Sequence, residues 1–267
     1  MAFQINTNVD ALKAYNALAK VNSEATEAQL RLATGQKINS VSDDTSGYRV
    51  GKELEAKVSI MEACQGNVSS AQDMLATAES ALSNINDLLI DIQAKVADAT
   101  DPTKNLTSLA NDVQSLGEEI SSIFSGTKFN ETSLLSGSTL PTGGNFSFKT
   151  GVDETTTMNF GTLNAIDLSS VTGATSATIS TLDVDTIVTT VQNALGKIGN
   201  YDQRLEVKDS YLTSAITNAE SSISRLFDAD TAMEQLNSTK AQIGGSLATS
   251  MLSQLNTAPQ NVLSLFQ

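Results

Sequence analysis

The sequence predicts a mainly α-helical chain: long antiparallel helices in a coiled-coil or bundle arrangement, with a small β-hairpin region. Three observations carry that expectation. Apolar residues recur at gaps of three and four over long stretches, the spacing of one helix face. Pro and Gly stand near the ends of most of these stretches, where helices stop. Between the stretches lies a Gly-, Ser- and Thr-rich segment in which apolar and polar residues alternate, the period of a half-buried strand.

The elements follow in order. Ala11, Ala14, Leu18, Val21, Ala25, Ala28 and Leu32 form a first unbroken stripe. Leu54, Val58, Met61, Val68 and Leu75 form a second, with a slip of phase near Val68, and Leu82, Ile85, Leu89, Ile92 and Val96 continue it. Taken as one helix over 48–98, this element is roughly 75 Å long. Asp43 and Asp44 precede it, and the spacing suits a cap after Ser42. Asp101-Pro102 ends it, because Pro cannot donate to the helical ladder and restricts the residue before it. Leu106, Leu109, Val113, Leu116, Ile120 and Ile123 mark the next helix, closed by Gly126. Phe146-Ser147-Phe148 and Met158-Asn159-Phe160 alternate around the turn-like stretch 149–154. They read as a β-hairpin followed by a loop through Gly173 and Ala174. Ile187, Val191, Ala194, Ile198, Tyr201, Leu205, Leu212, Ala219 and Ile223 form a further long stripe. The last helix shows Ala232, Leu236, Ile243, Leu247, Met251 and Leu255, weakened at Gly244-Gly245 and ended by Ala258-Pro259. Stripes of this kind are core packing rather than cofactor boxes.

Composition narrows the function. The 267 residues include no His and no Trp and a single Cys, which excludes a His-dependent triad, a His metal site and a disulfide framework. Sixteen basic residues face thirty acidic ones, for a net charge of −14, so no basic face exists to hold a nucleic acid. No run of about 18 apolar residues is present, so no membrane insertion is expected. The start, MAFQINTNVDALKAYNALAK, lacks the apolar run of a cleaved signal peptide. The acidic pairs Asp43-Asp44, Glu118-Glu119 and Asp153-Glu154 are adjacent residues, which do not face each other on a helix. No base or nucleophile accompanies them, so the chain is expected not to be an enzyme and to need no cofactor or metal.

The distribution of charge says more than its sum. Residues 1–60 carry 7 basic and 7 acidic groups, residues 61–130 carry 3 and 10, and residues 131–185 carry 1 and 6. After Glu234 the only charged side chain is Lys240. A long, nearly uncharged segment is poorly suited to facing water. It either docks within its own domain or is buried between subunits. A single terminal helix owns too little apolar surface to order itself, so the end segments should gain order as neighbours arrive.

At both ends the residues resemble those of bacterial flagellins. Ile5-Asn6-Thr7-Asn8 is similar to the family's opening, as are Arg31-Leu32-Ala33-Thr34-Gly35, Ile38-Asn39-Ser40 and Asp43-Asp44 with Gly47. Thr77-Ala78-Glu79-Ser80-Ala81-Leu82 is similar to its long N-terminal helix. Ser224-Arg225, Asp228-Ala229-Asp230, Thr239-Lys240-Ala241-Gln242-Ile243 and the run from Pro259 to Leu265 match at the other end. The resemblance covers roughly 1–100 and 190–267 and implies a structural subunit that polymerises into the flagellar filament. It implies an inner coiled-coil domain (1–45 plus 225–267), a long-helix bundle (46–126 plus 183–224) and a β-hairpin and loop region (127–182). Candidate subunit contacts are then Ile5, Ala11, Leu18, Val21, Leu32, Leu236, Ile243, Leu247, Met251, Val262, Leu263 and Leu265. Further implied partners are other copies of the chain, an export chaperone, a filament cap and junction proteins. The implied location is the extracellular flagellum, reached by type III export without a cleaved signal.

The chain also departs from the family pattern. Asp91 falls where many flagellins carry an Arg in a stretch recognised by a vertebrate innate receptor. Ser70-Ala71 replaces a common Asp-Gly pair, Phe227 replaces a usual Glu, and Phe266-Gln267 replaces Leu-Arg. The alternatives to a flagellin are a hook–filament junction protein and a secreted coiled-coil adhesin. Asn67, Asn105, Asn130 and Asn237 open N-x-Ser/Thr triplets, and the Ser and Thr residues of 132–180 would suit O-glycans on an outer surface. Removal of residues 235–267 should leave a soluble monomer of lower helicity that cannot polymerise.

Overall fold

A computed structural model describes residues 8–135, 145–159 and 168–264, with the side chains of 256 and 258–264 left out. The sequence expectations for Ile5, Phe160 and Leu265 lie outside the described residues. The chain divides into two compact units, Met1–Ala56 with Asn218–Gln267, and Lys57–Thr217.

In the first unit, α1 (Val9–Thr34) and α6 (Thr231–Ser264) pack as an antiparallel pair. Asn8 caps α1, its Oδ1 accepting from the Ala11 N–H at 3.0 Å, and Gly35 closes it at φ +70° with its N–H on the Arg31 carbonyl. A left-handed residue at this place costs glycine nothing. The long helix α2 (Thr45–Asp98) begins here. Of the two acidic residues expected to cap it, Asp44 does so. Asp44 Oδ1 accepts from Ser46 and Gly47 N–H at 3.0 and 2.9 Å, satisfying donors that the first turn leaves free. Asp43 instead folds back, its Oδ2 accepting from Asn39 and Ser40 N–H at 2.9 and 2.8 Å. The second long helix, α5 (Asp185–Phe227), ends in this unit and hands over to α6 at Asp230, whose carboxylate caps Ala232 and Met233.

The second unit carries the larger core. Along α2 the buried positions run Val58, Met61, Cys64, Val68, Ala71 and Leu75. Cys64 and Ala71 supply the steps that an aliphatic-only reading leaves out near Val68. Further on, Leu82, Ile85, Leu89 and Ile92 are fully buried, as are Val191, Ile198, Leu205 and Leu212 on α5. α3 (Leu106–Gly126) starts at Asn105, whose Oδ1 takes the N–H groups of Thr107 and Ser108. A one-turn helix, α4 (Ser169–Thr172), precedes the stretch read as loop and lies close on α3: a Cβ at Gly117 would fall 2.8 Å from Val171 Cγ1.

Among the described residues, two small antiparallel hairpins belong to this unit. β1 (Lys128–Phe129) pairs with β2 (Thr132–Ser133), and β3 (Asn145–Lys149) pairs with β4 (Thr155–Asn159) in the register Phe146 to Met158 and Phe148 to Thr156. Phe146, Thr156 and Met158 point inward. Long-range bonds hold the second hairpin to the helices. Cys64 Sγ donates to the Gly151 carbonyl, Asn67 Nδ2 donates to the Lys149 carbonyl, Lys208 pairs with Glu154, and the Asn159 N–H reaches the Tyr201 hydroxyl.

One stop signal fails. The last helix does not end at Ala258-Pro259 but runs on to Ser264. Pro259 has no N–H to offer the carbonyl four residues back, that of Leu255. In this chain the Asn8 side chain donates to that carbonyl instead, Nδ2 to O at 3.2 Å, so the interruption is bridged from outside the helix.

Candidate functional site

The sequence stripe from Ala11 to Leu32 is the face that α1 turns to α6: all seven of its residues are buried or half-buried. Among the predicted contact residues, Ala11, Leu18, Val21 and Leu32 therefore lie within the pair. α6 answers with a different set from its apolar stripe. Its inward residues include Glu234, Ser238, Ala241, Gly244, Ala248 and Leu252, mostly small groups that let two helix backbones approach. At Gly244 an added Cβ would already stand 3.4 Å from Val21 Cγ1.

Several of the larger apolar side chains of α6 stand on its other face. Leu236 is 62% exposed, Ile243 66%, Leu247 61% and Met251 56%. On α1, Val9, Leu12, Tyr15 and Leu30 are exposed as well. Large side chains exposed in a row at helical spacing are the mark of a surface meant to be covered, and each would gain about 1–2 kcal/mol from full burial. Val262 and Leu263 lie on the final turns of α6.

Polar contacts fix how the pair is aligned. Arg31 Nη1 lies 3.3 Å from Glu234 Oε1, its Nη2 holds Glu27 one turn back on α1, and Asn237 Nδ2 donates to Glu234 Oε2 at 3.3 Å. The Arg31 and Glu234 side chains are only 28% and 11% exposed, so this is a largely enclosed network, and charge-assisted bonds there fix geometry strongly. Arg31 beside Glu234, Val21 beside Gly244 and Asn8 beside Leu255 all report one antiparallel register. A groove of about 450 Å³ opens next to Arg31, lined by Glu24, Glu27, Lys240 and Ile243 among others. No group of acidic or Cys side chains among the described residues is arranged to hold a metal ion, and no described helix is long and apolar enough to cross a membrane.

Where α1 turns into α2 and α5 turns into α6, the two corners are stitched together. Gln36 and Asp228 form an isolated antiparallel bridge, the Lys37 N–H donates to the Phe227 carbonyl at 2.6 Å, and the Ala229 N–H donates to the Gly35 carbonyl at 2.8 Å. Phe227, the departure noted in the sequence, is buried. Its ring meets Tyr48 edge-on at 6.2 Å and fills the space over Gly51. The two N–H bonds from Ser40 and Asn39 hold the Asp43 carboxyl below its ordinary 3.8. Asp101 is lowered in the same way by Thr103, while the Glu55 carboxylate raises the ammonium of Lys52. The causes are local in all three: a turn backbone, a neighbouring hydroxyl and a carboxylate one turn away. Glu234 as a buried partner, Phe227 as a plug and the small-residue face of α6 escape a reading based on apolar periodicity. The one available signal is that Glu234 is the last acidic residue before a segment without others.

Comparison with known proteins agrees along the whole chain. The model of the bacterial flagellin N-terminal helical region matches residues 5–139, and that of the C-terminal helical region matches 182–266. Flagellin FljM of Caulobacter vibrioides is 29% identical over 272 residues, covering 98% of each chain, and flagellin FljN of the same organism is 30% identical over 270 residues with the same coverage. A solved structure assigned as a flagellar hook-associated protein from Vibrio parahaemolyticus matches 70% of this chain and all of its own, with a TM-score of 0.56 and 15% identity.

Proposed function

The chain belongs to the bacterial flagellin family, and on that premise we propose that subunits meet through the outer faces of the α1/α6 pair. The protein is a structural subunit of the flagellar filament, a polymer of its own copies outside the cell. The family is structural rather than enzymatic. The observation that carries the interface proposal is the exposed row Leu236, Ile243, Leu247 and Met251, set in a segment whose only charge beyond Glu234 is Lys240. Copies stacked through such a segment bring almost no like charges together. Contacts between different faces of successive copies do not close and so build a helical filament. The acidic middle of the chain stays wet and keeps the polymer soluble.

Ile5, Val262, Leu263 and Leu265 complete the set of contacts proposed from the sequence. Residues 1–45 with 225–267 form the inner domain, 46–126 with 183–224 the long-helix domain, and 127–182 the hairpin region. Support for the inner domain comes from the clustering of Met1–Ala56 with Asn218–Gln267. A largely apolar C-terminal helix whose charges are Glu234 and Lys240 alone also suits an export chaperone that covers it, a type III route, and a cap and junction proteins at the filament's ends. The hook-associated neighbour, at 15% identity, speaks to the fold alone. The test is polymerisation of purified chain carrying Ile243→Asn and Leu247→Asn, followed by electron microscopy and circular dichroism. Unchanged helicity with loss of filaments supports the interface; filaments formed as readily as by the unaltered chain refute it.

A further inference from the structure

Asn8 makes two bonds with opposite ends of one carboxamide. Its Oδ1 accepts from the Ala11 N–H at 3.0 Å, which caps α1, and its Nδ2 donates to the Leu255 carbonyl at 3.2 Å, 247 residues away in sequence. That carbonyl is no ordinary member of the α6 ladder. Its helical donor would be the N–H of residue 259, and residue 259 is Pro. A buried or half-buried carbonyl left without a partner is costly, and Leu255 is half-buried. Asn is the residue that can serve both ends at once. Ser or Thr caps a helix nearly as well, but carries no amide N–H to spend on a second element.

The geometry points to Asn8 as the positioning residue of the α1/α6 pair: the chain leaves one carbonyl of α6 open with Pro259 so that only the correctly aligned start of α1 can close it. An α6 slid by one turn along α1 would present to Asn8 a carbonyl already bonded within its helix, and would leave that of Leu255 unpaired. Among the described residues no other side-chain hydrogen bond joins α1 to α6 at this end. The inward residues there are Ala11, Ala14 and Leu18 of α1 and Ala248, Leu252 and Leu255 of α6, apolar groups whose attraction is not directional, whereas Arg31 and Glu234 set the register only at the far end of the pair. Asn8 and Pro259 thus act as a matched set, and ordering of the start of α1 is coupled to continuation of α6 past Leu255.

This inference rests on the filament reading, and its test separates the two. The full chain is compared as four proteins: unaltered, Asn8→Ser, Pro259→Ala, and both together, with Asn8→Thr as a second cap-preserving change in each background. The readout is the critical concentration for polymerisation. With Pro259 present, each Asn8 change should raise it about three- to tenfold, the range for the net worth of one hydrogen bond to a half-buried carbonyl. In the Pro259→Ala background, where Leu255 regains a donor from its own helix, the same changes should raise it less than twofold. Equal effects in both backgrounds, or none in either, overturn the inference. Failure of the unaltered chain to polymerise at all overturns the filament reading instead.

Discussion

Replacing Gly51 by Ala tests the corner packing in a way that propensity alone would get wrong. In an exposed helix interior this exchange is stabilising by about 0.5–1 kcal/mol, because Gly loses more backbone freedom on folding. Gly66, in the same helix, has nothing within 4 Å of an added Cβ, and Gly66→Ala should show that gain. At Gly51 the added Cβ would lie 1.9 Å from Phe227 Cε2, 2.3 Å from Cζ and 3.0 Å from Cδ2. Carbon contacts settle near 3.5–4 Å, so the ring must retreat by roughly 1.5–2 Å. It cannot swing aside freely: it is buried, edge-on to Tyr48, and its own carbonyl is held by Lys37. Overpacking of this kind costs about 1–3 kcal/mol, which outweighs the helix gain, so Gly51→Ala should destabilise by about 1–2 kcal/mol. Thermal unfolding followed by circular dichroism should show the midpoint lowered by about 2–8 °C. Phe227→Leu should cost less in the Gly51→Ala protein than in the unaltered one, because the shorter side chain yields the space. An equal gain at Gly51 and Gly66, or strictly additive costs, would refute the proposed packing of Phe227 on Gly51.

Other expectations follow from single contacts. Arg31→Lys should loosen the pair by about 1–3 kcal/mol, since one ammonium cannot hold both Glu27 and Glu234 as the guanidinium fork does; faster amide exchange in α1 and α6 reads it, and unchanged exchange counts against the network. Asp43 has its folded pKa below its unfolded one, so its contribution is complete above the unfolded value and is lost as pH falls through the folded value. Asp43→Asn should therefore flatten the acid side of the stability profile below about pH 4, and an NMR titration of Asp43 at or above its ordinary value would contradict the cause given. Glu131 sits at φ +67° beside Asn130 at +45° in the tight β1–β2 turn, a conformation that favours glycine. Glu131→Gly should stabilise by about 0.5–1 kcal/mol in thermal unfolding, and a loss there would mean the turn is otherwise shaped.

Periodicity made α2 and α5 readable because each buries large apolar groups along one stripe, and such groups announce the face they occupy; α1 was readable because its mostly Ala stripe keeps the same unbroken spacing. It misread the facing of α6 for a physical reason. A helix that approaches its neighbour closely does so with Ser238, Ala241 and Gly244, which carry little hydrophobic signal, while Leu236, Ile243, Leu247 and Met251 are left for another surface. Pro259 read as a stop because the local rule holds locally; a donor from Asn8, at the other end of the chain, overrides it. Phe227 looked like a mere departure from a family pattern until Gly51 supplied the hollow it fills. Even Asp43 and Asp44, adjacent and chemically alike, divide their work: one closes a turn and the other opens α2.

The most direct test of the account uses the chain's single Cys as a silent background. Cys64 is 1% exposed, so a thiol introduced by Leu247→Cys would be the reactive one. In the dilute monomer a maleimide should label it rapidly, and in assembled filaments labelling should slow by at least an order of magnitude, as the exposed row of α6 becomes covered by neighbouring copies. Equal labelling rates in the two states would show that this face stays bare in the polymer and would contradict the claim that it joins one subunit to the next.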